Sequence, residues 1–183
     1  QDSSIPTPQN ELVINPFAEH PNYEASWSGF GSGNGSTTTQ STPINSAALR
    51  WSVTEGTQNT PGFISDQVIV HDTVYYVSGS TLKAVDAATG NLIASAQIGS
   101  KVSYFARPLY VNGMIVVATD DGCLTAFSAT TMECIWKTEP LDTTNALQSV
   151  SSLTVNNGTI LAEFTKMSGF DAAGGYMIAV DAA

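Results

Sequence analysis

From residue 49 onward, apolar and polar residues alternate in short runs separated by turn residues. "DQVIVHD" leads into "TVYYVSG", and "TLKAVDAATGNLIASAQIG" follows. Each run has the period-two spacing of a half-buried strand, and Gly, Asp, Asn and Thr fill the breaks. No stretch longer than one turn carries the 3.6-residue period of a helix. The pattern predicts an all-β chain.

An internal repeat organises these runs. "AVDAATGNLIA" (84–94) aligns without a gap on "AFSATTMECIW" (126–136), 42 residues later. Trp51, Ala94 and Trp136 stand 43 and 42 residues apart, and the turn residues His71, Asn112 and Asn156 stand 41 and 44 apart. A period near 42 that holds four short strands is that of a β-propeller blade. The predicted division is a polar lead-in at 1–48, an outer strand of another blade at 49–60, blades at 61–102 and 103–145, and an incomplete blade at 146–183. Three blades fall short of the four to eight that close a ring. Two expectations follow: the chain is part of a longer one, or two copies form a six-bladed ring. In the second case each copy lends "LRWSV" (49–53) to the third strand, "YMIAV" (176–180), of the other.

The repeat resembles the blades of pyrroloquinoline-quinone-type (quinoprotein-like) propellers. The resemblance rests on A-x-D-x-x-T-G followed by an apolar pair and Trp, and on "VNG-x-x-V" followed by "DDG-x-L-x-A". The lead-in "WSGFGSGNG" before "ALRW" is similar too, so the likeness spans residues 27–183. It implies a partial propeller in which Asp86, Thr89 and Gly90 form a tight turn. The Asp carboxylate there accepts backbone N–H bonds and Gly supplies a positive φ. Trp51 and Trp136 are expected to pack between blades, and Asp181 is the third copy of the motif Asp. Departures are Ala94 in place of Trp, Ser128, Thr131 and Met132 in place of Asp, Thr and Gly, and an insertion around "KMSGFDAAGGY". The family's quinone dehydrogenases need a calcium cage and stacking groups, often with a disulfide of adjacent cysteines. Neither a Cys-Cys pair nor a carboxylate–Asn cluster is evident here, so a non-catalytic binding or scaffolding module is expected, without cofactor; the alternative is part of a quinone-cofactor-dependent dehydrogenase whose active site lies in missing blades.

Composition narrows the partners. Formal net charge is −10, and the six basic residues are scattered singly. Nucleic acid and anionic membrane surfaces both require clustered positive charge. No apolar run approaches the roughly 18–20 residues of a membrane helix. Charged residues make up only 12% of the chain, and "QDSSIPTPQN" reads as a mature terminus left by signal cleavage. The expectation is an exported protein, periplasmic, extracellular or on the cell surface. Its partner is another protein, the remaining blades of a longer chain, or a second copy. "GFGSGNGSTTTQSTP" (29–43) reads as linker, although Trp27 and Phe30 should dock somewhere.

Candidate chemistry is sparse, and no catalytic or cofactor-binding residue is assigned. His20 and His71 lack zinc spacing, and neither G-x-S-x-G nor G-x-G-x-x-G occurs. Asn34 and Asn157 match glycosylation sequons but also read as turn residues. Cys123 and Cys134 fall about four rungs apart on adjacent strands, beyond the ~7 Å Cα limit for a disulfide, so both are expected as buried thiols. Asp120 and Asp121 are the weak metal candidates, with a plain Asp-Gly hairpin turn preferred. Asp66, Arg107 and Ser151 each precede an apolar strand nearest the ring centre. They are the candidate ligand or salt-bridge positions at the channel mouth.

Overall fold

The computed structural model describes residues 25–27, 48–57, 60–61, 64–100, 102, 107–149 and 152–182. The first described elements are β1 (Ala25–Trp27) and a small hairpin, β2 (Gly56–Thr57) with β3 (Thr60–Pro61). Blade 1 follows as β4 (Val68–Val70), β5 (Thr73–Ser78), β6 (Thr81–Asp86) and β7 (Leu92–Gln97). Blade 2 is β8 (Leu109–Val111), β9 (Met114–Ala118), β10 (Leu124–Ser128) and β11 (Cys134–Lys137). Blade 3 holds β12 (Leu147–Gln148), β13 (Thr154–Asn156), β14 (Thr159–Ser168) and β15 (Asp171–Asp181). All pairings are antiparallel between sequence neighbours, except that β1 adds to the free side of β4, and β12 and β13 share one side of β14. No helix occurs among the described residues. The first strands β4 and β8 approach each other, which places them at the hub of a partial β-propeller.

Turn chemistry fixes the register of each blade. His71, Asn112 and Asn157 take positive φ values of 51°, 50° and 49° between the first and second strands. The third equivalent is therefore Asn157, not Asn156, because blade 3 carries one more residue before its Gly. The carbonyls of Asp72, Gly113 and Gly158 then accept from the N–H groups of Ala87, Ala129 and Ala182 at 2.7–2.8 Å. Equivalent positions thus lie 41 to 42 residues apart between blades 1 and 2, and 45 to 53 apart between blades 2 and 3. The larger offset comes from the long β14–β15 hairpin.

Alternation sends successive residues to opposite faces of each blade. Val68, Val70, Tyr75, Val77, Leu82 and Ala84 leave blade 1 on its forward face and meet Ile115, Val117 and Phe127 of blade 2. The other face of blade 2, through Leu109, Val116, Leu124 and Ala126, meets Ile160, Ala162 and Phe164 of blade 3. Both faces of β9 are covered, so all five of its residues are buried. At ~25 cal/mol per Å2, burial between blades is the largest stabilising contribution available to these thin sheets.

Aromatic docking ties the outer strands to the next blade. Trp51 donates from Nε1 to the Ala87 carbonyl at 3.0 Å. Its ring lies against Gly90 (φ +72°), where a Cβ would come within 2.7 Å of it. Residues 48–55 nevertheless join no strand among the described residues. Blade 1 lacks Trp at position 94 and solves the problem from another strand. Tyr75, Ala84 and Ala94 form one cross-strand row, equivalent to Val116, Ala126 and Trp136 in blade 2. The Tyr75 hydroxyl donates to the Ala129 carbonyl at 2.6 Å. That carbonyl is the equivalent of the Ala87 oxygen that Trp51 uses.

Tyr75→Phe should keep the ring and strand the Ala129 carbonyl. The expected loss is about 1–3 kcal/mol in urea unfolding, the cost of an unsatisfied buried acceptor. A loss within error of zero would show that the Tyr75 ring alone fills the gap left at Ala94.

Candidate binding surface at the channel mouth

β4, β8 and β13 all begin at one end of the blades, and the β9–β10 turn and the β14–β15 tip lie at that same end. The residues that lead into the hub strands meet there. Arg107 donates from Nε to Asp66 Oδ2 at 3.1 Å, and its NH1 lies 3.5 Å from Ser152 Oγ. Asp66, Arg107 and Ser152 are equivalent positions in successive blades, so one polar chain crosses three sheets. Ser151 lies outside the described residues, and the extra residue of blade 3 puts Ser152 in the equivalent place. The pair is part-exposed, with side chains 52% and 32% accessible, so it contributes roughly 0–1 kcal/mol.

Asp120 and Asp121 occupy the β9–β10 turn, as the hairpin reading expected. Asp121 accepts from the Thr119 hydroxyl, from Ser100 Oγ at 2.9 Å, from Lys137 Nζ at 3.2 Å and from the Cys123 N–H at 3.3 Å. Burial alone would raise its pKa, but these bonds outweigh it and hold the carboxyl far below the usual range. Its oxygens are thus engaged in joining blade 2 to the segment leaving blade 1. Gly122 (φ +75°) completes the turn, and a Cβ there would meet Leu147 at 2.6 Å and Leu141 at 2.9 Å.

A second carboxylate, which the sequence reading did not single out, organises the connection into blade 3. Asp142 accepts from the Thr144 hydroxyl at 2.7 Å, the Thr144 N–H at 2.8 Å and the Asn145 N–H at 3.0 Å. The Thr144 bonds lead in holding its carboxyl well below the usual range. Its other oxygen receives Asn145 Nδ2 at 2.9 Å, with Tyr176 Oη at 3.5 Å and Lys166 Nζ at 3.7 Å. Tyr176 and Lys166 belong to the β14–β15 hairpin, so Asp142 braces its base. β12 adds a second brace by pairing with Thr165 and Lys166. Beyond these braces the hairpin runs on through Gly169 (φ +65°) to Phe170, which is fully exposed. The inserted "KMSGFDAAGGY" is therefore ordered strand and turn. A depression of about 420 Å3 lies beside the brace, lined by Asp120, Asp121, Asp142 and Asn145 among others.

Elsewhere, the motif Asp86 accepts from Thr89 N–H at 2.8 Å, Thr89 Oγ1 at 2.7 Å and Ala88 N–H at 3.1 Å. Thr89 leads these bonds in lowering its pKa. Ser128 does the same for Thr130 and Thr131 in blade 2, at 3.2 and 3.1 Å. Trp136 packs on the blade 2–blade 3 core, but its Nε1 is buried without a partner. Asp181 pairs with Thr159 at the end of β15 and is exposed. His71 is exposed in its turn, while His20, Phe30 and Asn34 lie outside the described residues. Both cysteines are free, as expected. Cys123 is buried, but Cys134 is exposed, because the outer strand β11 turns it to the surface opposite Phe127. Among the described residues no group of His, Cys, Asp and Glu is placed to hold a metal, and no helix is long and apolar enough to cross a membrane.

The sequence model of a family described as "Outer membrane protein assembly factor BamB" (PQQ_2) matches residues 39–183. A search of the curated proteins finds no match. Among solved structures, a europium-containing methanol dehydrogenase superposes with a TM-score of 0.57 at 20% identity, over 74% of this chain and 25% of its own. A quinohemoprotein alcohol dehydrogenase from Pseudomonas putida HK5 gives 0.53 at 21% identity, over 64% of this chain and 19% of its own. BamB from Moraxella catarrhalis gives 0.44 at 16% identity, over 64% and 34%. The likenesses to the two dehydrogenases show the fold, and the chain spans a quarter or less of either one.

Two measurements probe the mouth. Asp121 has a folded pKa below its unfolded value of about 3.9, so its contribution is present above that pH and is lost as pH falls through the folded value. Asp121→Asn should lower stability at neutral pH and lose less than wild type between neutral and strongly acidic pH. Parallel acid limbs for the two proteins would remove Asp121 from the network. In the second measurement, a thiol reagent should modify Cys134 in the folded protein. Cys123 should react only after unfolding, since burial and Asp121 push its pKa up to about 11. Two reactive thiols in the native state would contradict the burial of Cys123.

Proposed function

The chain belongs to the PQQ_2 family, described by the outer membrane protein assembly factor BamB, and we propose that it is a non-catalytic, exported propeller module. Its role in this reading is to bind or scaffold a protein partner at the cell surface or in the periplasm. The observation that carries the reading is the braced β14–β15 hairpin. It sets a fully exposed Phe170 beyond the level of the other blade turns, on a base fixed by Asp142, Lys166 and Tyr176. A large apolar side chain held out on an ordered support is what a protein-binding surface presents.

The donor set at the mouth does not fit a calcium–quinone pair. Arg107 is committed to Asp66, and both Asp121 oxygens are committed to Thr119, Ser100, Lys137 and the Cys123 N–H. The two cysteines lie on different strands, one buried and one exposed. These side chains join blades to one another instead of converging on a common point.

Phe170→Ala should leave the melting temperature unchanged and abolish cross-linking to proteins of the exported fraction. Cross-linking that survives the substitution would overturn the hairpin's role. Separately, the chain with pyrroloquinoline quinone, calcium and a primary alcohol should reduce dye no faster than the cofactor alone. Turnover above that blank would put the quinone dehydrogenase reading first.

A further inference from the structure

The β14–β15 hairpin holds its tip in a defined place. Its loop is two residues long, Gly169 and Phe170, and Ser168 pairs with Asp171 across it. Gly169 takes φ +65° and Phe170 does not take a positive φ, as in a type II′ turn, whose twist matches that of the flanking strands. The register shifts between Lys166 and Met167, so Ala173 is an extra residue on β15, and a bulge of this kind bends its strand. The tip is thus re-aimed just beyond the level at which Lys166 and Tyr176 meet Asp142. An aromatic ring on so short a loop has little freedom to lose on binding.

Charge at this end of the blades is one-sided. Among the described residues the three cations there are each matched by a carboxylate, Arg107 by Asp66, Lys137 by Asp121 and Lys166 by Asp142. Asp120, Glu139 and Asp171 add further negative charge. Asp171 follows Phe170 directly and is exposed, as is Glu139. Asp120 lines the depression beside the hairpin's brace together with Pro140, the residue after Glu139.

One ordered apolar group with like charges beside it is selective about what it meets. Phe170 calls for an apolar pocket, and the carboxylates near it penalise any occupant that brings more negative charge. An anionic lipid surface and a nucleic acid are disfavoured on that ground. Lys or Arg at the rim of the pocket is favoured, which gives the usual arrangement of a buried aromatic anchor inside a polar rim.

We propose that Phe170 docks in an apolar pocket of a partner protein whose rim carries Lys or Arg, and that these cations are drawn to Asp171, Glu139 and Asp120. The proposal rests on the hairpin being a protein-binding surface and adds the chemistry of the protein that this surface selects. Phe170 supplies the contact that resists dissociation. The carboxylates steer the encounter, and their effect weakens with added salt.

Three dye-labelled peptides of equal length, one of Arg and Leu, one of Glu and Leu and one of Arg and Ser, probe the full chain by fluorescence anisotropy. The Arg–Leu peptide should bind most tightly. Phe170→Ala, Asp171→Arg and Glu139→Arg, all at exposed positions, should each weaken it about tenfold at unchanged melting temperature. The Arg–Ser peptide should not respond to Phe170→Ala. Arg–Leu binding that ignores Phe170→Ala would be diffuse attraction to a chain of net charge −10 and would overturn the proposal. Equal binding of the Glu–Leu and Arg–Leu peptides, both lost in Phe170→Ala, would also overturn it, while leaving the hairpin as an apolar protein-binding surface. Phe170-dependent sedimentation with phosphatidylcholine vesicles, without peptide binding, would make the occupant a membrane and overturn both readings.

Discussion

Each blade of this protein is a thin sheet with apolar residues on both faces, so its stability depends on covering those faces. Blade 2 meets this constraint fully: blade 1 covers one side, blade 3 the other, and β9 is buried along its whole length. Among the described residues, blades 1 and 3 stack on a neighbouring blade on one side. Their outer faces bear Lys83, Tyr76 and Ser78, or Thr154, Asn156 and Glu163, and blade 1 is further covered by the segment that carries Glu55. Cross-strand hydrogen bonding shapes a blade, but stacking of blades decides which residues it can contain.

The polar devices sit where stacking leaves gaps. At the mouth, Arg107, Asp121 and Asp142 each accept or donate across a boundary between blades or between a blade and its connection. Individually they are worth little in a part-exposed setting. Their effect is positional: they hold turns that have no core of their own. At the outer rim the same need is met by aromatic residues that reach a backbone carbonyl of the next turn. Met132 shows which effect wins when the two compete. It takes φ +61° where blade 1 has Gly90, a conformation that costs an L-residue roughly 1–2 kcal/mol. Met132 is also 6% exposed in the blade 1–blade 2 core, and burying such a side chain contributes about 1.5–3 kcal/mol. Packing outweighs the strain, and the turn keeps its shape without glycine.

Strand periodicity and the repeat made the architecture legible because both are written in one-dimensional spacing. Asp66 and Arg107 were found the same way, as equivalent positions in neighbouring blades. Ser152 was missed by one residue, since a single extra residue before Gly158 shifts blade 3 and only backbone geometry reveals which Asn takes the positive φ. Asp142 had no signal beyond an Asp followed two residues later by Thr, because its importance comes from Lys166 and Tyr176, more than twenty residues downstream. The exposure of Cys134 depended on which way the outer strand twists after the bulge between Ala126 and Phe127. Period-two reasoning does not carry through a bulge.

Tyr75 explains why departures from the blade motif do not weaken the fold. Read along the chain, Ala94 looks like a lost tryptophan. Read across the sheet, the row Tyr75–Ala84–Ala94 contains one large aromatic and two alanines, while Val116–Ala126–Trp136 contains its aromatic at the opposite end. What the two rows share is one aromatic ring, which either strand can supply; Tyr75 also donates to the carbonyl of the next turn, whereas Trp136 Nε1 is buried without a partner. The sequence motif is thus one of at least two solutions to a requirement set by the gap between blades. A blade that meets the requirement from its second strand frees its outer strand to carry other residues. In blade 1 that freedom appears as Leu92 and Ile93, both more than half exposed on the rim.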